Sequence, residues 1–221
     1  MVQTKKLVIF GTTASGKIAH HYFSTDSDFE VVAFTVDSKY MQDSDFCNLP
    51  VVPFEKLTVS HPPNEYSLFI AMGYTGMNQQ RAEKYYQGKS LGYEMATYVS
   101  SRCNYLSEIT PGDNCLILED NTIQPFVTIG ANVVLWSGNH IGHDVVVGNH
   151  CFISSHVVVS GNTKIGECCF IGVNSTIRDN IEIGEKTLIG AGAVVMKSTD
   201  PMSVWVPAKS QRINAESVDL L

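Results

Sequence analysis

The stretch "IGHDVVVGNHCFISSHVVVSGNTKIGECCFIG", Ile141 to Gly172, decides the fold. Every sixth residue in it is aliphatic: Ile141, Val147, Ile153, Val159, Ile165 and Ile171. Followed outward, the series runs unbroken from Ile117 to Val195, fourteen positions in all. An amphipathic helix repeats about every 3.6 residues and a strand about every 2, so neither alone makes this pattern. Two residues before most of these positions stands a small or β-branched side chain, as at Val145, Cys151, Val157, Thr163 and Cys169. The residue just after is often glycine, as at Gly142, Gly148, Gly166 and Gly172. Each unit reads as a short strand with two inward side chains, then a tight corner eased by glycine. Three units close a triangular coil of 18 residues. Each coil buries its core only against its neighbours, so the element is an all-β parallel β-helix of hexapeptide repeats.

The first hundred residues read differently. "KKLVIFG" is a buried strand, "GTTASG" (Gly11 to Gly16) a Gly/Ser/Thr loop, and "KIAHHYF" the start of a helix. "VVAFTVD" is a second strand ending in Asp37, "SLFIAMG" another ending in Gly73, and "YEMATYV" a further one after a helix from Met77 to about Lys89. Such alternation predicts a small parallel α/β, Rossmann-like domain over 1–100, followed by the β-helix over 101–200. Pro201 and Pro207 stop the coil and leave a tail, 201–221.

The loop is not the dinucleotide fingerprint, because Thr13 stands where the second glycine belongs. Gly11, Thr12, Thr13, Ala14, Ser15 and Gly16 still set N–H groups at a helix start, a natural phosphate site. Asp37 is placed to accept from a ribose or a base. A structural βα turn has the same pattern. The domain has room for one nucleotide, which favours a mononucleotide moiety over NAD.

The net charge of -7 and the lack of a basic stripe argue against nucleic acid as a partner. No apolar run approaches a membrane span, and the one in "MVQTKKLVIFG" is too short for a signal segment. A cytoplasmic chain is expected, with its six cysteines, which show no CxxC spacing, reduced.

A short Rossmann-like domain followed by these repeats resembles one family over nearly the whole chain: the bacterial nucleotide-sugar acetyltransferases of the hexapeptide-repeat, left-handed β-helix type. That family includes bacillosamine-pathway and perosamine N-acetyltransferases and sialic-acid O-acetyltransferases. The matching pieces are "GTTASGK" near the start, "SGNHIGHDVVVG" in the middle, "IGAGAVV" near the end and "VPAK" in the tail. The resemblance implies left-handed coiling and a homotrimer with active sites between adjacent β-helices. It implies a nucleotide in the N-terminal domain and acetyl-CoA as co-substrate along the groove between coils. It also implies a catalytic histidine followed by an acidic residue, which falls on His143 and Asp144. The implied reaction is acetyl transfer to the amino group of a nucleotide-linked dideoxy amino sugar, in surface glycan biosynthesis. The chain departs from the family at Ser15, where many members carry histidine, and at Trp136, where some carry asparagine.

Register separates the histidines near the quoted stretch. His143 lies two after Ile141, at a corner from which its ring can project. Acyl transfer to an amine needs a base as the tetrahedral intermediate forms, and an imidazole, which titrates near neutral pH, suits that task. A carboxylate on the other ring nitrogen would fix the tautomer, from Asp144 or from a neighbouring chain. Position alone allows His143 to be a packing residue; the resemblance makes it the base. His140, outward beside that corner, is a candidate for contact with sugar or pantetheine, and Asn139 is a further substrate candidate although its register is inward. His150 and His156 are expected on the solvated surface. No two of these four histidines are 18 apart, and Cys168 and Cys169 point to opposite sides of a strand, so no zinc site is expected.

For acetyl-CoA the resemblance points to Gly161, Gly172, Val173, Gly190 and Ala191, small residues along the coils, with Lys197 and Lys209 toward its phosphates. For the nucleotide it leaves Gly11 to Gly16, Asp37 and Gly73; Arg81 either reaches a phosphate or is a solvated helix residue. Competing readings are a sugar O-acetyltransferase, as on sialic acid, a non-catalytic β-helix sugar-binding protein, and a metalloenzyme.

Overall fold

The computed structural model describes residues 5–210 together with Arg212 and Val218; the rest of the tail over 201–221 lies outside the described residues. The chain opens with β1 (Lys5–Phe10), α1 (Ala14–Thr25), β2 (Phe29–Val36), β3 (Asp45–Phe46), β4 (Leu49–Pro53), α2 (Leu57–Ser60), β5 (Tyr66–Ile70) and α3 (Gln79–Ser90). These strands form one sheet in the order β3-β4-β2-β1-β5, parallel except for the β3–β4 hairpin. Leu7, Val8 and Ile9 are fully buried, which is why β1 is a continuous apolar run rather than an alternating one. "YEMATYV" is not a strand of this sheet: Met95 only bridges to Leu68, and Tyr98–Val99 already pairs with the first coil.

The repeats build three parallel sheets. The first face runs from Tyr98–Val99 through Leu116–Ile117, Val134–Leu135, Phe152–Ile153, Phe170–Ile171 and Leu188–Ile189 to Val204–Trp205. The second includes Thr122–Ile123, His140–Ile141, Val158–Val159 and Thr176–Ile177, and the third Thr128–Ile129, Val146–Val147, Lys164–Ile165 and Glu182–Ile183. Three parallel sheets wound from six-residue units fit a left-handed β-helix. The coils run past the sequence boundaries of 101 and 200 at both ends. The aliphatic series fills the interior, with Ile117, Leu135, Ile153 and Ile171 fully buried. Inward thiols are satisfied there: Cys115, Cys151 and Cys169 donate to the carbonyls of Gly130, Gly166 and Gly184, each at 3.1 Å.

The corners differ from expectation. The glycines just after the aliphatic position do not supply the turn. A Cβ on Gly142 would lie 2.6 Å from the Gly161 nitrogen, and one on Gly172 2.5 Å from the Ala191 nitrogen. They are glycines because the next coil passes that close. The left-handed residue comes two positions later, at Asn114, Asp120, Asn132, Asp144, His150, Asn162 and Asn174 among others. Asparagine, aspartate and histidine tolerate positive φ best among residues with side chains.

The N-terminal part sits on the first face. The outward residues Leu116, Val134, Phe152 and Phe170, one per coil, pack into one cluster with Phe23, Phe34 and Phe69. Helix α3 covers the adjoining corner between third and first faces, and this overturns two expectations. Arg81 is neither a phosphate ligand nor solvated: it is 1% exposed and donates to the carbonyls of Gly73 (3.1 Å), Asn132 (3.3 Å), His150 (2.8 Å) and Cys151 (3.1 Å). His150 is not on the surface. It is buried, with Nδ1 at 2.9 Å from Asn132 Nδ2 and Nε2 at 3.0 Å from the Tyr86 hydroxyl. Asn132 in turn accepts from Asn114, whose Oδ1 caps the Ile70 N–H at 2.8 Å. A side-chain ladder therefore ties three coils to the end of β5.

Burial, and then the charge of Arg81, hold the His150 imidazole below its ordinary pKa, with Glu167 opposing. The folded chain thus resists a proton that the unfolded chain accepts near pH ~6.5, and stability is lost as pH falls from there through the lowered folded value. His150→Asn keeps the left-handed corner and extends the asparagine ladder. Its melting temperature should fall less steeply than that of the wild type between pH ~6.5 and ~5. His20 and His61, also lowered by burial, titrate in both proteins, so the difference belongs to His150. Parallel curves would contradict this assignment.

Candidate active site

His143 stands at the corner between second and third faces. Its side chain is 55% exposed and its Nδ1 lies 2.9 Å from Asp144 Oδ2. Asp144 carries φ 58, so the residue that orients the imidazole is also the left-handed residue of the corner. The His143 N–H donates to Gln124 Oε1 at 2.8 Å, a contact from the preceding coil that the hexad pattern alone did not single out. With Nδ1 facing a carboxylate, that nitrogen carries the proton and Nε2 is left as the acceptor.

Gly161 is the next corner residue along the same edge. A Cβ there would lie 2.6 Å from His143 Nε2, so the ring rests over a position that only glycine fits. Gly161→Ala should displace the imidazole and lower turnover by up to about 100-fold while the melting temperature stays near that of the wild type. Unchanged turnover would show that the ring position does not matter. Asp179 and Lys197 follow on this edge at the same 18-residue step. Three coils at about 4.8 Å each put the Lys197 backbone some ~14 Å from that of His143. Lys197 is exposed, with its ammonium 5.8 Å from the Trp205 ring centre.

Gly172, Val173, Gly190 and Ala191 lie elsewhere, stacked at the corner between first and second faces. His140 is half-buried and outward on the second face, His156 exposed, and Lys209 exposed in the tail. Asn139 is not available to a substrate: it is 1% exposed, donates to the Trp136 carbonyl and accepts the Val157 N–H at 2.8 Å.

A cavity of 630 Å³ lies at the carboxyl ends of the parallel strands. It is lined by Gly11, Thr12, Thr13 and Ser15 after β1, by Lys39 to Gln42 after β2, and by Met72, Gly73 and Thr75 after β5. Ala14 and Gly16 lie outside the lining. Gly16 is buried against the Gly11 carbonyl and serves the close approach of α1 to β1. Asp37 also lies outside the lining, and its carboxylate pairs through Oδ1 with Lys84 Nζ at 2.6 Å. Lys84 in turn packs on Phe10 and Phe54.

The corner that carries His143 is the vertex opposite the first face, and the first face carries the N-terminal domain with its cavity. One chain therefore carries its cavity-bearing domain and its histidine on different sides of the β-helix. Among the described residues no cluster of three or more His, Cys, Asp or Glu side chains forms a metal site, and no helix is long and apolar enough to cross a membrane.

The repeats are of a known kind: residues 128–161 and 162–197 match the family model of the bacterial transferase hexapeptide (six repeats). Among curated proteins none matches the chain by sequence. Among solved structures the chain is similar to the acetyltransferase domain of PglB from Neisseria gonorrhoeae FA1090, at 20% identity, 92% coverage of this chain and 97% of that one, with a TM-score of 0.80. The same domain is known in complex with acetyl coenzyme A. PerB from Caulobacter crescentus, in complex with CoA and GDP-perosamine, matches at 20% identity over 91% of this chain and 94% of its own, TM-score 0.80. WeeI from Acinetobacter baumannii AYE matches at 22% identity over 92% and 97%, TM-score 0.61. These likenesses extend over both parts of the chain, so the combination of domains is a shared fold.

Proposed function

We propose that this protein is an acetyl-CoA-dependent N-acetyltransferase acting on the amino group of a nucleotide-linked dideoxy amino sugar, with His143 as general base. The observation that carries the reading is the exposed His143–Asp144 pair with Nε2 free above Gly161. The structural neighbours bound to acetyl coenzyme A, CoA and GDP-perosamine support the co-substrate and the acceptor class. The cavity after β1 and β2, in a Rossmann-like domain, suits the nucleotide. The working unit is a homotrimer, supported by the placement of the cavity-bearing domain and the histidine on different sides of the β-helix within one chain. Between copies, His143 of one chain meets the substrate held by the next, and the Gly172–Ala191 edge comes beside it. The product serves surface glycan synthesis.

In this mechanism the Asp144 carboxylate holds the Nδ1 proton, and Nε2 takes a proton from the amine as its nitrogen attacks the thioester carbon. The C–N bond forms, the tetrahedral oxyanion collapses, and the C–S bond breaks. The imidazolium then returns its proton to the departing sulfur, so His143 ends as it began. The Gly161 N–H takes no part in the coil-to-coil ladder and serves as an oxyanion donor.

Thiol release from acetyl-CoA, measured with UDP-, GDP- and dTDP-linked 4-amino-4,6-dideoxy sugars, tests the reading. Release with one of them supports it and identifies the nucleotide. No release with any amine, but release with a sugar hydroxyl such as that of sialic acid, would replace N- by O-acetylation.

A further inference from the structure

The cavity lies on three loops in a row, because β2, β1 and β5 are neighbours in the sheet. The middle loop starts α1 and offers its N–H groups to phosphates. A nucleotide whose base end lies at the loop after β2 sends whatever hangs from its distal phosphate out past the loop after β5. Gly73 and Thr75 of that loop line the cavity, and Tyr74 between them turns out of it. Its ring, 55% exposed, leans on two aromatic rings of the β-helix: Phe152 at 5.1 Å and Phe170 at 4.6 Å between centres. Phe152 and Phe170 stack on each other at 5.7 Å, and Trp136 adjoins Phe152 at 6.4 Å. An aromatic shelf thus begins where the cavity ends and crosses from one domain to the other. Packing between the domains explains Phe152, which is buried. It does not explain a tyrosine left more than half exposed at the cavity mouth on top of it.

We propose that Tyr74, backed by Phe152, Phe170 and Trp136, is the platform on which the sugar ring of the nucleotide-linked acceptor lies by its apolar face. The proposal rests on the nucleotide-sugar reading above and adds the residues that recognise the sugar rather than the nucleotide. A hexose without hydroxyls at C4 and C6 presents a C–H face and a methyl group, which suit an aromatic surface, while the amine at C4 points away from the rings toward a neighbouring chain. The contact is worth a modest aromatic increment, about three- to tenfold in affinity.

Calorimetric titration separates the parts. Wild type, Tyr74→Ala and Tyr74→Phe are each titrated with UDP, GDP and dTDP, free and linked to a 4-amino-4,6-dideoxy hexose. For the nucleotide that binds, the sugar-linked form should bind the wild type more tightly than the free diphosphate. Tyr74→Ala should remove that gain and leave the diphosphate affinity unchanged, which also shows that the variant is folded. Tyr74→Phe should restore the gain. Equal weakening of both forms would make Tyr74 a support for the cavity loop, and no change in either would leave it without a role; both outcomes overturn the platform. A wild type that binds none of these compounds would instead overturn the nucleotide-sugar reading, and the platform with it.

Discussion

His143→Ala is expected to lower the rate of acetyl transfer by about 10²–10⁴-fold, the usual size of a lost general base. The loss should fall on kcat, with KM for acetyl-CoA near its wild-type value, because the role proposed for the imidazole is to take the amine proton in the transition state rather than to hold the bound thioester. Folding should be unaffected, since the ring is exposed and its backbone N–H bond to Gln124 survives the change. Asp144 needs more care. Its φ of 58 makes alanine a poor probe, because alanine strains the corner as well as removing the carboxylate. Asp144→Asn keeps the corner and removes the charge, and should lower kcat without a change in melting temperature. Stopped-time thiol assays on both variants check this. A His143→Ala enzyme within a factor of about 3 of the wild type would remove the base role.

Arg81→Met is expected to destabilise the chain by about 3–5 kcal/mol, the cost of leaving several backbone carbonyls without a donor. The guanidinium is buried without a carboxylate partner among the described residues, and burial pushes its pKa down to about 10. What holds it is four carbonyl oxygens. Those of Gly73, Asn132 and His150 accept no backbone N–H in the ladder, so methionine leaves them without a donor. Lysine does not substitute, because one ammonium cannot fork across the Gly73 loop and two successive coils. The change also removes the stack of the guanidinium on Phe152, 5.8 Å from the ring centre. Since Arg81 links α3 to the corner between the third and first faces, the two domains should lose cooperativity. Urea unfolding followed by tryptophan fluorescence reads this, Trp136 being at the domain interface and Trp205 in the last coil. A loss under ~1 kcal/mol would mean that water replaces the donors at little cost.

How much of this is legible in the sequence depends on whether a residue answers to its own coil or to a partner far along the chain. The hexad series places every inward residue from Ile117 to Val195 and puts His143 on a corner, because strand alternation is local. The corner chemistry is misread for a reason visible afterwards. Glycine marks close approach between coils, whereas the left-handed residue two positions later is most often Asn, Asp or His. His150 has the register of a corner residue, and only the docking of α3 buries it. Arg81 shows the same dependence. Its helix, read from Met77 to about Lys89, carries no local signal that one arginine enters a carbonyl cage. The domain interface did leave a signal at the scale of 18 rather than 6: Leu116, Val134, Phe152 and Phe170 are outward positions of one face, and all are apolar. The corresponding third-face positions include Lys164 and Glu182, which pair across solvent at 3.1 Å.

The central claim is that one active site needs the cavity of one chain and His143 of another. Mixing two inactive variants tests it directly: His143→Ala, and Ser15→Asp, whose added carboxylate repels phosphate in the cavity. Each alone should be inactive. Random mixed oligomers should recover about a quarter of wild-type activity, because half the cavities and half the histidines are intact and they pair independently between neighbours in a cyclic assembly. Recovery near that level supports a shared site. Mixed oligomers that form and yet stay inactive would place cavity and base in the same chain and contradict the account.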